Sequence, residues 1–278
     1  RLIGLHVSPR RNKNDWAQYR EMSFSCQGLI RMQAAQGFDH LSFSGIYEIL
    51  RFQKIRRHAA FQKRPGMNMG LIKLLLADPA AFVLLAVLLL YSVILHELAH
   101  GWVAWRMGDP TAKWLGRLTL NPLRHLDPIG SLMLLIIGFG WAKPVPVNLE
   151  NIPAPQRRRG LILVSAAGVT ANILIAFAAL LLWRLLAPQP GGLLYSVLYL
   201  LASINILLAA FNLIPIPPLD GSKILMGFTP ESVNRVLVQI EPFGFFIVLG
   251  LLLLGALNRV IDLFRHGLIT LITFFLPS

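Results

Sequence analysis

The sequence predicts an all-α polytopic membrane protein, with four to six transmembrane helices and a small re-entrant or β-hairpin insertion. Three observations predict it. Of the 278 residues, 55% are hydrophobic and only 14% charged, whereas soluble domains carry about 25% charged residues. Several apolar runs approach the ~20 residues that a helix needs to cross a hydrocarbon core. Between the first two clear runs lies an apolar stretch of only about half that length, too short to cross.

Residues 1–66 differ from the rest. They hold 12 Lys and Arg against 4 Asp and Glu, so +8 of the net +13 falls in this first quarter. RRNKNDW and RFQKIRRHAAFQKRPG are polar, basic and weakly periodic, and such sequence is expected to be disordered or loosely helical and to carry no chemistry. Met67 and Met69 stand just before the first long apolar run. We take the upstream residues as leader or translated non-coding sequence. The other reading is a basic extension lying against anionic lipid. The membrane domain is then 67–278. Basic loops beside apolar spans follow the positive-inside rule, and with no nucleic-acid motif present, no nucleic-acid partner is expected. A single cysteine, Cys26, excludes an internal disulfide framework and a multi-cysteine zinc knuckle.

The first span begins at Pro79 with PAAFVLLAVLLLYSVIL and continues through HELAHGWVAW. Leu161 to Leu182 is the second and Leu193 to Ile214 the third, with the uncharged turn at Pro188 to Gly192 between them. The fourth runs from Phe243 to Leu257. The tail from Val260 to Leu276 is apolar but interrupted by Asp262, Arg265 and His266. It is either a further span or a helix lying in the interface.

Gly108 to Gly160 joins the first two spans and contains the short apolar stretch IGSLMLLIIGFG. GRLTLNP before it and WAKPVPVN after it read as short extended pieces punctuated by Pro and Gly. Non-helical backbone at membrane depth must be covered by protein or line a wet cavity, so this connection is expected to pack over a cavity. It is also basic, with Arg106, Lys113, Arg117, Arg124, Lys143 and Arg157 to Arg159, and the segment after the third span holds Lys223 and Arg235. The positive-inside rule then puts the end of span one, the start of span two and the end of span three at the cytoplasmic face.

Three ionisable groups lie inside the first span: His96, Glu97 and His100, in HELAH. On a helix, positions i and i+4 share one face, so the two imidazoles can offer nitrogens to one Zn²⁺. Glu97 can reach a water beside the metal and take its proton as the water attacks a carbonyl. Chance placement in a chain of this composition gives the pattern about 0.4% of the time. The bland alternative, a polar patch gluing helices together, must explain three such groups in an apolar span, where ionisable residues are seldom idle.

A catalytic zinc takes three protein ligands and keeps one position open. After the motif the acids are Asp109, Asp127, Glu150, Asp220, Glu231, Glu241 and Asp262. Asp220 stands out. It sits in FNLIPIPPLDGSKIL, where prolines stop the third span and Gly221 permits a sharp turn, at the membrane face already given to HELAH. PPLDG taken alone would be an ordinary turn. His125 and Asp127, in NPLRHLDP, are either partners that orient a zinc ligand or residues in the usual turn roles.

These pieces resemble the site-2 protease family of intramembrane zinc metalloproteases. The matching motifs are HELAH (His96 to His100) and N-x-x-P-x-P-x-L-D-G (Asn212 to Gly221), with NPLRHLDPIGSL and GWAKPVPVN resembling a compact branch. The resemblance implies one zinc per chain held by His96, His100 and Asp220, with Glu97 as general base. It implies hydrolysis of a peptide bond in or near a transmembrane segment of a single-span substrate protein, usually for regulated release of a cytoplasmic factor. It puts Asn212 near the zinc, where its amide could bind substrate or the oxyanion; a helix-packing amide is the other reading. In the second span AAGVTAN keeps Gly168 and Asn172 but has Val169 where the family often has Pro, which puts a kink there in doubt. Neither the connection nor the Pro188 turn has room for a PDZ domain.

The expectation is therefore an intramembrane zinc endopeptidase at residues 67–278, embedded in membrane lipid, in the bacterial plasma membrane with its site toward the cytoplasm. The Leu118 to Asn148 connection could pair with an unwound substrate by strand addition. The alternative is a polytopic metal-binding or metal-transport protein without protease activity, against which stands the lack of an internal repeat. A catalytically dead relative is a third reading, and Glu97 speaks against it. Oligomeric state and substrate identity are not written in the sequence.

Overall fold

A computed structural model describes residues 71–190 and 192–276. The expectations for 1–66 lie outside the described residues. Helix α1 (Ile72–Ala77) ends at Asp78, whose extended backbone breaks the helix and whose carboxylate then accepts from Ala81 N–H at 3.2 Å. With Pro79 at the first helical position, this cap starts α2 (Pro79–Arg106). Ser92, His96, His100 and Ala104 are all buried. Their spacing of four makes them one stripe of α2.

The opposing helix is α5 (Arg157–Leu186), with a matching stripe of buried residues at Val164, Gly168, Asn172 and Ala176. Rows spaced by four on two helices interdigitate, and small residues let the backbones approach. The helix runs unbroken through Val169. Val169 packs with Ala209, Ala210 and Leu268. Helix α6 (Leu193–Asn212) follows the Pro188 turn and lies against α5.

The connection between α2 and α5 carries the short α3 (Thr111–Trp114) and then α4 (Pro128–Ile137). Asp127 caps α4 by accepting from Gly130 N–H at 2.8 Å, Pro128 occupies its first position, and Gly138 ends it with φ 83°. From there the chain doubles back in non-helical form. A Cβ on Gly140 would fall 2.1 Å from Gly130 O, so backbone meets backbone. The insertion is thus a helix paired with an extended segment, and no strand is assigned among the described residues. Pro144 and Pro146 lack the N–H groups a ladder requires. The return segment is tied down by Lys143 N–H donating to His125 O at 2.8 Å and by Arg117 Nη2 donating to Lys143 O at 2.7 Å.

After α6 the Pro-rich turn leads into α7 (Asp220–Phe228), then α8 (Glu231–Leu253) and α9 (Asn258–Phe275). Helix α8 begins twelve residues before the expected Phe243 and continues through Pro242. Glu, Arg and Gln in ESVNRVLVQIE dilute hydropathy yet are good helix formers, which is why an apolarity reading started too late. Gly244 serves a close approach: a Cβ there would fall 2.3 Å from Pro217 O. Helix α9 packs Leu268 and Ile272 into the α5–α6 core.

Helices α2, α5, α6 and α8 are each long and apolar enough to cross a membrane, while α9 carries three charged residues and is shorter. With their apolar residues largely exposed outside the bundle, these helices make an all-α integral membrane protein.

Candidate active site

His96 and His100 lie one turn apart on the inner stripe of α2, with ring centroids 4.6 Å apart. Asp220, at the first position of α7, reaches them from the far end of the α6 turn. Its Oδ2 is 3.2 Å from His96 Nε2 and 3.2 Å from His100 Nε2, and the two Nε2 atoms are 3.0 Å apart. Edges near 3.3 Å are what a tetrahedron with ligand bonds of about 2.0 Å gives. The spatial convergence expected of span one and the end of span three is therefore present.

Several close approaches place Asp220. A Cβ on Gly221 would fall 2.2 Å from Leu213 O, so the start of α7 folds directly onto the end of α6. The other end of α7 is clasped by Arg158, whose Nε donates to Gly227 O and Nη2 to Thr229 O, each at 2.7 Å. Both bonds come from the first turn of α5, so the third ligand candidate is held against the helix that faces the histidines.

The donor set fits a cation. His100 Nδ1 lies 2.7 Å from Val164 O; a carbonyl only accepts, so Nδ1 carries a proton, and in its neutral form the ring presents its lone pair at Nε2. His96 Nδ1 faces Asn172 Oδ1. Among the described residues Asp220 Oδ2 is buried with no hydrogen-bond partner, which is costly for a carboxylate oxygen unless a cation compensates it. His96, His100 and Asp220 also form the one cluster of metal-ligating groups found among the described residues. Two imidazoles and a carboxylate match zinc.

Gly168 forms the floor beside them. A Cβ there would sit 2.4 Å from His100 Nε2 and 2.6 Å from His96 Nε2, so any side chain would fill the space between the metal-binding atoms. Neither the role of Gly168 nor that of Asn172 was read from the sequence. The signal was available: Val164, Gly168 and Asn172 recur every four residues, and an Asn within an apolar span calls for a partner.

Glu97 points out of the buried stripe and is half-buried. Its Oε2 accepts from Val145 N–H at 2.7 Å. Gly101, one turn on, lets the return segment come this close, since a Cβ there would fall 2.8 Å from Val145 Cγ1. Asn212 donates from Nδ2 to Leu208 O at 3.0 Å, which engages one N–H of its amide in its own helix.

Of the pair weighed in NPLRHLDP, Asp127 takes the turn role as the cap of α4, and buried His125 bonds Thr119 O through Nε2 at 2.8 Å. Neither ring nor carboxylate is bonded to a residue of the candidate metal cluster. Asp109, unremarked in the sequence beyond its being an acid, is fully buried and gathers the connection's ends. It accepts from Asn148 N–H at 2.7 Å, from Asn151 Nδ2 at 2.7 Å, and from the backbone and hydroxyl of Thr111. Burial pushes its carboxyl up, but these hydrogen bonds outweigh burial and hold it below the usual carboxylate range.

A helical membrane bundle that holds HExxH histidines and a distant aspartate around a cation-sized gap defines a membrane metallopeptidase. Comparison with known proteins narrows the class. Residues 184–255, covering α6, the Asp220 turn and α8, match the model for peptidase family M50. The chain is 41% identical over 175 residues to the Bacillus subtilis chain named zinc metalloprotease YwhC, an alignment covering 60% of this chain and 78% of that one. It is 34% identical over 183 residues to the Mycolicibacterium smegmatis chain named zinc metalloprotease Rip2, covering 64% and 70%. A third relative, zinc metalloprotease MJ0392 of Methanocaldococcus jannaschii, is 29% identical over 148 residues, covering 53% and 35%. No solved structure matches the chain. The chain belongs to peptidase family M50 and is a zinc metalloendopeptidase.

Proposed function

We propose that the enzyme hydrolyses a peptide bond in or near a transmembrane segment of a single-span substrate protein, from the cytoplasmic side of a bacterial plasma membrane. The observation that carries this reading is the position of the metal cluster within an apolar span. Past His100 the same helix bears Trp102 and Trp105, both exposed, with Arg106 over the Trp102 ring and Lys113 over that of Trp105. Tryptophans and cations of this kind mark a membrane–water boundary. His96 is then about 10 Å deeper, at 1.5 Å per residue. The basic loops on that side support the cytoplasmic orientation, and the bacterial relatives support the host membrane.

In this reading His96 Nε2, His100 Nε2 and an Asp220 oxygen hold zinc. When bound, zinc supplies Lewis acidity that makes a water acidic near neutral pH and polarises a peptide carbonyl. Glu97 is the general base. Val145 N–H fixes its Oε2, leaving Oε1 to take the proton of the attacking water and later to deliver it to the leaving amine. The second N–H of the Asn212 amide is available to the oxyanion of the substrate carbonyl. In the segment from Gly140 to Asn148 the Lys143, Val145 and Asn148 N–H groups are already bonded, so a locally unwound substrate strand would pair chiefly with its remaining carbonyls.

The test is cleavage of a single-span substrate by the purified enzyme in liposomes, beside Glu97→Gln. The variant should keep its zinc and lose about 10²- to 10⁴-fold in rate. Unchanged cleavage by Glu97→Gln, or cleavage of soluble peptides in preference to the membrane-embedded substrate, would overturn the reading. Zinc flux across the liposome that is indifferent to Glu97→Gln would favour the metal-transport alternative instead.

A further inference from the structure

A buried polar chain runs behind His96 and crosses three helices. Asn172 on α5 is fully buried, with its Oδ1 against His96 Nδ1 and its Nδ2 2.7 Å from Asn205 Oδ1. Asn205 on α6 is also fully buried, and its Nδ2 lies 2.9 Å from Ser92 Oγ and 2.8 Å from Leu201 O. Ser92, back on α2, donates to Leu88 O at 2.7 Å. Neither Asn205 nor Ser92 is hydrogen-bonded to a residue of the candidate metal cluster, and neither belongs to a motif that carried the functional reading.

The direction of every bond in this chain is forced from its far end. The Leu201 and Leu88 carbonyls can only accept. The Asn205 NH₂ must therefore face Leu201 O and the Ser92 oxygen, whose own proton goes to Leu88 O. That leaves Asn205 Oδ1 facing Asn172, so Asn172 must present its NH₂ there and its Oδ1 to His96. An amide oxygen only accepts, and His96 must then carry its proton on Nδ1. In the neutral ring that metal binding requires, the lone pair then falls on Nε2, the atom that faces His100 Nε2 and Asp220 Oδ2.

We propose that Asn205, supported by Ser92, is a positioning residue that sets the tautomer of His96 through the Asn172 amide and so keeps Nε2 ready for zinc. Its distance from the cluster is the point. Asn172 alone is symmetric enough to turn over and offer its NH₂ to His96 Nδ1, which would move the ring proton to Nε2 and close the site. Asn205 removes that freedom by accepting only from an N–H. His100 needs no such device, because its Nδ1 meets the Val164 backbone carbonyl directly.

The inference rests on His96 being a zinc ligand, and zinc binding by the wild-type protein tests that part separately. The experiment is Asn205→Leu, which keeps the branched outline of the side chain, with somewhat more bulk, but has no amide, in the full chain. Two quantities are measured: zinc affinity by competition with a chelator, and ring-nitrogen NMR of the labelled histidines in the chelated protein. A partner of this kind changes metal affinity by about 10- to 100-fold. The expected result is a loss in that range, with His96 passing from one tautomer to a mixture while His100 keeps its proton on Nδ1. His100 is the internal control for folding. Wild-type affinity with His96 unchanged overturns the proposal, and so does a change at both histidines, which would mark a general loss of structure. Ser92→Thr and Ser92→Val add the same bulk and differ in the hydroxyl. The proposal requires Thr to bind zinc more tightly than Val, and equal affinities count against it.

Discussion

Glu97 and Val145 are joined across 48 positions of chain by a 2.7 Å bond from the Val145 N–H to the Glu97 carboxylate. Through it the return segment of the connection grips the residue proposed as general base. Val145→Pro removes that N–H in a segment already flanked by Pro144 and Pro146. A hydrogen bond to a charged group contributes about 1.5–3 kcal/mol, so the cleavage rate should fall about 10- to 100-fold with zinc content unchanged. Val145→Ala keeps the N–H and should stay near wild type. Equal rates for the two variants in the liposome assay would show that the bond does not serve Glu97.

Gly168 cannot take a side chain without placing it 2.4 Å from His100 Nε2. Gly168→Ala should therefore lower zinc content after dialysis well below that of wild type, and activity with it. Metal analysis of the purified protein decides this, and full zinc occupancy in Gly168→Ala would contradict the geometry.

Zinc should stabilise the fold, because the cluster draws on helices far apart in sequence and forms only in the folded chain. At 100 times its Kd, a ligand of the native state alone adds about 2.7 kcal/mol. A chelator should lower the Tm of the wild-type protein in detergent. Asp220→Ala, lacking one of the three donors, should show little or no shift between zinc and chelator.

Asp109 predicts an acid limit for the connection. Its folded-state carboxyl is held below the ordinary value of about 3.9, so the ionised form favours the fold. That stability is fully present above about pH 4 and is lost as pH falls through the lower folded value. Pepsin cutting near Asn148–Asn151 should rise in wild type as pH drops below about 4, relative to the same digestion of Asp109→Asn, whose side chain has no such titration. At neutral pH Asp109→Ala should destabilise the connection by about 1–3 kcal/mol for each N–H left unpaired.

Much of this protein was legible in its residues. Apolar runs of bilayer length gave α2, α5 and α6 within a few residues, because a spanning segment has almost no other way to satisfy its backbone. HELAH gave two imidazoles on one face because the helix repeat requires it. Where apolarity was the guide and helicity was not, the boundary slipped: α8 starts at Glu231, in polar sequence that hydropathy does not count. The insertion doubles back on itself, but its outgoing arm is a helix, for which Asp127 and Pro128 supply the cap.

By itself the sequence determined the class of fold, the two histidines on one stripe, and a short list of acids from which Asp220 could be picked. Those are local or periodic properties, set by side chains within a turn or two of one another. Only the tertiary structure decided that Asp220 Oδ2 stands 3.2 Å from both rings, that Gly168 leaves the gap between them, that Val145 holds Glu97, and that Asn205 faces Asn172. Each of these depends on which helix stripes meet and at what register. That is fixed by packing summed over the whole bundle, and no short segment encodes it.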